Sequence, residues 1–241
     1  MTMKAMINKL HILLMAVVLA SACSSLEIDH LNPWNSDPGE DDTPIVFLSE
    51  TDYNAWTHLG GLEERFSACE VSPEVLNAKT TGALGLSILH YPLNGIVYAY
   101  NYWDVPVKMI YDRSSLHQAL AARKDAATVL TDIFDRTRID INLMVSSDYE
   151  VISLMDEVFF ELYLGMGFVP GLDSPPNKDR IKAIVQRKMK EREADSSFPS
   201  ISLISLAYMN ERLGLGIKFD DKIVEMMHLS TLGDSLFDNQ K

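Results

Sequence analysis

The chain has 241 residues, with 34 Asp or Glu against 21 Lys or Arg and a formal net charge of −13 at pH 7. An acidic excess of that size weighs against nucleic acid and bare anionic lipid as partners, because both demand a positive footprint. Only two cysteines are present, Cys23 and Cys69, so a disulfide framework is excluded and the fold must rest on its apolar core.

In chain order, Lys4 and Lys9 come first, and Ile12 to Ala22 is uncharged and apolar. That run is about half the ~20 residues a membrane-spanning helix needs and fits the apolar core of a signal peptide. Residues 1–22 are therefore expected to be a signal peptide. Its removal takes Lys4 and Lys9 away and moves the net charge from −13 to −15.

Ala20, Ser21 and Ala22 precede Cys23, and this stretch resembles the lipobox of bacterial lipoprotein precursors, with Ala20 where that family usually has Leu. The resemblance implies a diacylglycerol thioether on Cys23, which becomes the new N-terminus, and Ser24 resembles the outer-membrane sorting class. The expectation is a lipid anchor in the bacterial cell envelope. Ordinary secretion with cleavage after Ala22 is the alternative, and it would leave a reactive thiol exposed.

Ser24 to Pro44, "SSLEIDHLNPWNSDPGEDDTP", holds six acidic residues, three prolines and no Lys or Arg. Such a composition cannot repay the entropy of ordering, so residues 23–44 are expected to be the lipidated cysteine and an acidic tether. Trp34 is a possible recruitment point for a partner. The globular domain is then expected over 45–241.

Ile45 to Leu48 reads as a short strand or extended lead-in. Tyr53, Trp56, Leu59, Leu62 and Phe66 give one apolar stripe over Asp52 to Phe66. Ser72, Pro73 and Glu74 mark a helix start. A further helix runs Thr81 to Leu89, broken at Pro92 and turned at Gly95. Ser115 with Gln118 forms a capping box, and the periodicity predicts one helix continuing to Phe134.

Ser147 and Glu150 repeat that box ahead of Val151, Leu154, Met155, Val158, Phe159 and Leu162, with Gly165, Gly167 and Pro170 as stops. Lys178 to Glu193, Pro199 to Leu213 (ended by Gly214) and Asp220 to Leu229 complete the helices. "IDINLMV", 139–145, alternates like a strand but has no clear pairing mate. The expected fold class is all-α: a single domain of seven to nine helices, as an irregular bundle or stacked helical hairpins.

"PEVLNAKTTGALGLSILHYPL" and "LHQALAARKDAATVL" resemble a family of uncharacterised bacterial secreted and lipid-anchored proteins. The shared motifs are Tyr91-Pro92-Leu93 and Arg123-x-Asp125-Ala126. The resemblance implies a helical domain and carries no reaction with it.

Candidate chemistry is sparse. The segment "YPLNGIVYAYNYWDVPVKMIY" gathers Tyr91, Tyr98, Tyr100, Tyr102, Trp103 and Tyr111. Rings with polar tips suit sugar stacking or a protein interface, and also ordinary packing. Tyr98, Tyr100, Tyr102 and Trp103 are the candidate ligand contacts, with Asn101 and Asp104 placed to orient a polar ligand. Glu150, Glu157 and Glu161 align along one edge of a predicted helix. Carboxylates so arranged serve acid–base chemistry when burial separates their pKa values; the plain reading is a solvated flank.

Glu225 and His228 have Glu-x-x-His spacing, which a di-metal site needs twice and which occurs here once, so no metal is assigned. "NKDRIKAIVQRKMKERE", 177–193, holds seven basic residues. It reads as a solvated face, a dock for membranes or acidic partners, or a set of partners for the chain's own acids. Cys69 in "FSACE" reads as a small buried residue.

No phosphate loop, dinucleotide fingerprint, His-Glu-x-x-His or nucleophile elbow occurs, and no cofactor is expected. The leading expectation is a lipid-anchored, non-catalytic binding module with an envelope protein or a carbohydrate as ligand. The alternatives are a carboxylate-dependent hydrolytic enzyme using Glu150, Glu157, Glu161 or His228, and a purely structural role.

Overall fold

The computed structural model describes residues 41–47, 58–141 and 151–232. The signal peptide, Cys23, Trp34, the Ser147–Glu150 box and Glu150 itself lie outside them. Among the described residues there are ten α-helices: α1 Leu62–Ala68, α2 Pro73–Ala78, α3 Thr81–Leu89, α4 Asp104–Arg113, α5 Ser115–Ala121, α6 Ala126–Arg136, α7 Leu154–Gly165, α8 Pro175–Ala194, α9 Ile201–Leu213 and α10 Asp221–Ser230. A 3-10 helix spans Asn94–Ala99. The described β structure is β1 Arg138–Ile139 paired in parallel with β2 Val151–Ile152, plus an isolated bridge between Asp41 and Lys79. The all-α expectation holds.

Several starts are fixed by local chemistry. Ser72, Thr80 and Ser153 each cap a helix by accepting from the backbone N–H three residues on, at Val75, Ala83 and Asp156. A cap satisfies one of the donors that the first helical turn leaves unpaired. The start of α7 at Leu154 corrects the expectation of a helix running from the Ser147 box through Val151, because Val151 and Ile152 are strand. Gly214, at φ 60°, ends α9 in the left-handed conformation that glycine adopts without a Cβ clash.

The helix read as continuous from Ser115 to Phe134 is two. Its cap is Ser114, which accepts from the His117 N–H, while the Gln118 side chain donates to the carbonyls of Tyr111 and Asp112. The chain breaks after Ala121 because tertiary partners hold the connection. Arg123 turns inward to donate to the carbonyls of Leu76 and Lys79 at 2.9 and 3.0 Å. Asp125 accepts from Thr81 Oγ1 at 2.8 Å. The Arg-x-Asp-Ala motif thus ties the end of α2 and the start of α3 to α6, and Tyr91 and Leu93 of the other motif are buried beyond the far end of α3.

Two helices form the centre. All nine residues of α3 are buried, as is α7 from Glu157 to Gly165; a helix covered on all sides lies inside its domain. α3 packs on α5, α6 and α7, and α7 packs on α4, α9 and the 3-10 helix. α8 spans α6 and α9, while α10 rests on α9. The α7–α9 crossing is tight at Gly165, where a Cβ would stand 3.0 Å from the Tyr208 ring and 3.2 Å from Met209 Cα.

The domain begins before Ile45. The Asp41 N–H donates to Ala78 O at 2.7 Å, the Thr80 N–H donates to Asp41 O, and Lys79 Nζ pairs with the Asp41 carboxylate. Pro44 is buried, and the Phe47 ring meets Tyr91 edge-on at 5.2 Å. Residues 41–44, read from the sequence as the end of the tether, are docked on the domain, because Asp41 supplies both backbone and side-chain partners at the α2–α3 junction.

Candidate functional site

The tyrosine segment is held from beneath. Asn94, 1% exposed, donates through Nδ2 to Ile88 O at 2.9 Å, Leu89 O at 3.1 Å and Asp156 Oδ1 at 3.0 Å. It therefore closes the end of α3 and fixes the 3-10 helix against α7. Leu93 and Val97 are buried, and the stretch that follows, 98–102, is exposed throughout. Tyr98, Tyr100 and Tyr102 are 40%, 36% and 42% exposed, and Asn101 is exposed beside them. The covered part of Tyr98 faces inward: burial, Glu161 and Asp156 together push its phenol above its ordinary pKa.

Trp103 is half-buried, and its backbone N–H donates to Ser230 O at 2.9 Å. Asp104 departs from the sequence expectation. It is fully buried, and both its oxygens accept from the Leu232 N–H at 3.0 Å. Its carboxylate pins the segment after α10 and is not offered at the surface. Leu229 and Leu232 are 70% and 37% exposed, and these bonds bring the chain around them to Trp103 and Asp104, just after the tyrosines. Sequence reasoning missed these two leucines: the signal for Leu229 was its place on the stripe of α10, and Leu232, beyond the helix, had none.

The carboxylates of α7 are not a solvated flank. Glu157 and Glu161 are fully buried, and α8 covers them with Lys188 and Arg192, each 4% exposed. Lys188 Nζ donates to Glu157 Oε1 at 2.7 Å and to Thr137 O at 3.0 Å. Arg192 reaches both acids: Nη2 to Glu157 Oε1 at 3.0 Å, and a two-pronged contact to Glu161 at 2.6 and 3.1 Å. It also donates to Ser202 O, and Ser205 Oγ donates to Glu161.

Burial opposes the charge on Glu157, but Lys188 and Arg192 outweigh it and hold that carboxyl below its ordinary pKa. Burial pushes Glu161 up to about 7, against the pull of Arg192. Two carboxyls driven apart in this way have the form of an acid–base pair. Here they face cations in a closed interior, so as placed they serve as internal ion pairs and not as groups presented to a substrate. Of the basic run, Lys188 and Arg192 are buried, while Arg180 pairs with Asp132 and Arg187 with Asp135 across to α6. Self-pairing accounts for four of the seven basic residues of that run.

A second buried polar string involves Cys69, Tyr91, Ser114 and His117. Cys69 is 3% exposed, and burial pushes its thiol up to about 12, which makes it an inert thiol. The Tyr91 phenol is in hydrogen-bond contact with Cys69 and Ser114, and Ser114 Oγ lies 2.8 Å from His117 Nδ1. Burial lowers His117 to about 3, so it is neutral in the fold. It is boxed edge-on by the rings of Tyr91, Phe159 and Tyr163.

Glu225 and His228 sit exposed on α10, with His228 Nε2 3.5 Å from Glu211. Among the described residues no group of three or more His, Cys, Asp or Glu is arranged to hold a metal, and no helix is long and apolar enough to cross a membrane. Compared with known proteins, the chain matches no family model, no curated protein and no solved structure.

Proposed function

We propose that this chain is a lipid-anchored, non-catalytic binding module of the bacterial cell envelope, held at the outer membrane through Cys23, with an envelope protein or a carbohydrate as its ligand. The observation that carries the reading is the exposure of Tyr98, Tyr100 and Tyr102 on one short stretch, 98–102, that is exposed throughout and lies between buried Val97 and buried Asp104. Exposed tyrosines contribute amphipathic contact area at small cost in side-chain entropy. The segment is rooted by Asn94 and Asp104, which pre-organises it and lowers the ordering cost of binding. The anchor rests on the lipobox resemblance around Cys23.

The test places a photo-crosslinking residue at Tyr100 or Tyr102, and separately at Lys182 on α8, in cells of the native host. A discrete adduct at the tyrosine positions and none at Lys182 supports the reading. Equal labelling at all three overturns it. For the anchor, Cys23→Ser is expected to release the protein from membranes, and unchanged membrane partition rejects lipidation.

A further inference from the structure

α10 is a peripheral helix whose apolar stripe is left uncovered by the other described helices. Of its residues only Met227 is buried, and Asp221, Val224, Glu225, His228 and Leu229 line one open depression along its outer side. Their spacing of threes and fours places them on a single face. The stripe is apolar at Val224 and Leu229 and acidic at Asp221 and Glu225, and Glu211 of α9 adds a carboxylate beside His228. Lys222 follows Asp221 by about 100° of helical turn and so leaves the stripe.

Ten residues of helix present a face of about 15 Å by about 10 Å, or about 150 Å², less than the roughly 800 Å² per side that a stable protein interface covers. The stripe does not stand alone, however. The Trp103–Ser230 and Asp104–Leu232 hydrogen bonds join its C-terminal end to the residues that directly follow the exposed Tyr100 and Tyr102.

We infer that α10 and the tyrosine segment form a single docking surface for a cationic amphipathic segment of a partner protein: apolar side chains over Val224, Leu229 and the tyrosines, Lys or Arg toward Asp221, Glu225 and Glu211. This rests on the tyrosine segment being a contact surface and adds the partner's chemistry to it. Charge complementarity carries the choice, since the uncovered leucine is flanked by carboxylates in a chain of net charge −13. An anionic lipid surface or acidic polymer would meet repulsion there.

The full chain is titrated with a helical peptide of Leu and Lys, with its Leu and Glu counterpart, and with vesicles of anionic lipid. The Leu/Lys peptide is expected to bind saturably and the other two not. Asp221→Lys with Glu225→Lys is expected to weaken binding about tenfold or more, the size expected for reversing two interfacial charges. Asp221→Asn with Glu225→Gln repeats the test without burdening the first helical turn. A control pair with the same charge change on α8, Glu191→Lys with Glu193→Lys, is expected to leave affinity within about twofold, as distant screened charges do.

Equal loss in the α8 control, equal binding of both peptides, or binding to the vesicles would overturn the inference. Loss with the α10 pair but not with Tyr100→Ala and Tyr102→Ala would support the acidic stripe as the peptide's site and remove the tyrosines from it, which separates the two readings.

Discussion

α7 and α10 both set acidic groups among apolar residues, three in α7 and two in α10, yet the fold treats them in opposite ways. In α7, Glu157 and Glu161 are fully buried and met by Lys188 and Arg192. In α10, Asp221 and Glu225 stay in water, and Leu229 is left 70% exposed. Burying a charge is tolerated only with a partner and hydrogen bonds, and α8 supplies both to α7. No such helix covers α10 among the described residues, so its carboxylates remain hydrated and its leucine remains available. The buried cluster is therefore a structural commitment, and the open stripe is where a partner has room to act.

The largest expected effect breaks the buried side of this contrast. Arg192→Met leaves Glu157 and Glu161 without their shared cation and should cost about 3–5 kcal/mol, read as a lowered urea midpoint. Replacing Glu157, Glu161, Lys188 and Arg192 together by apolar residues of similar volume should cost far less, since the desolvation of four charges goes with them. A quadruple variant as unstable as Arg192→Met would show that packing, not charge, sets the cost.

Next is the crossing that seats α7. Gly165→Ala should destabilise by about 1–3 kcal/mol through overpacking against Tyr208 and the Met209 backbone. A neutral result in thermal unfolding would mean that α7 and α9 separate easily.

The interior also has a pH signature, with two opposed parts. His117 falls from 6.5 to about 3 on folding, so the unfolded chain binds more protons. Its contribution is present above pH 6.5 and is lost as pH drops toward 3. Glu161 rises from 4.5 to about 7, so the folded chain binds more protons. Its contribution is present below pH 4.5 and is lost as pH rises through 7. Each slope amounts to about 1.4 kcal/mol per pH unit, and between pH 4.5 and 6.5 they oppose each other. His117→Gln should unmask a stability that falls with rising pH in that window, and Glu161→Gln one that rises. Parallel profiles for both variants and the parent, measured by denaturant unfolding, would contradict these assignments.

The smallest effect belongs to the open side. Tyr100→Ala and Tyr102→Ala should change stability by about 0.5 kcal/mol or less, as exposed positions do, while removing the crosslinked partner. A larger loss of stability would mean that the rings serve the fold.

Much of the helical framework was legible locally. Ser72, Asp220 and Gly214 marked their ends because caps and left-handed turns depend on neighbours in sequence. The tyrosine segment was legible as a cluster, since tyrosines crowded around glycine and proline breaks already stand out. What failed was decided by distant partners. The split at Ala122 follows from carbonyls of α2 that Arg123 satisfies, and Asp104 is withdrawn because Leu232, 128 residues away, donates to it.

By itself, then, the sequence determined the helical class, most helix ends, the acidic balance and the lipobox-like start, all of which are written in residue type and short spacing. Only the tertiary structure decided that the acids of α7 go inside while those of α10 stay out. Spacing states which face of a helix a residue occupies; whether another element covers that face depends on packing between segments far apart in the chain.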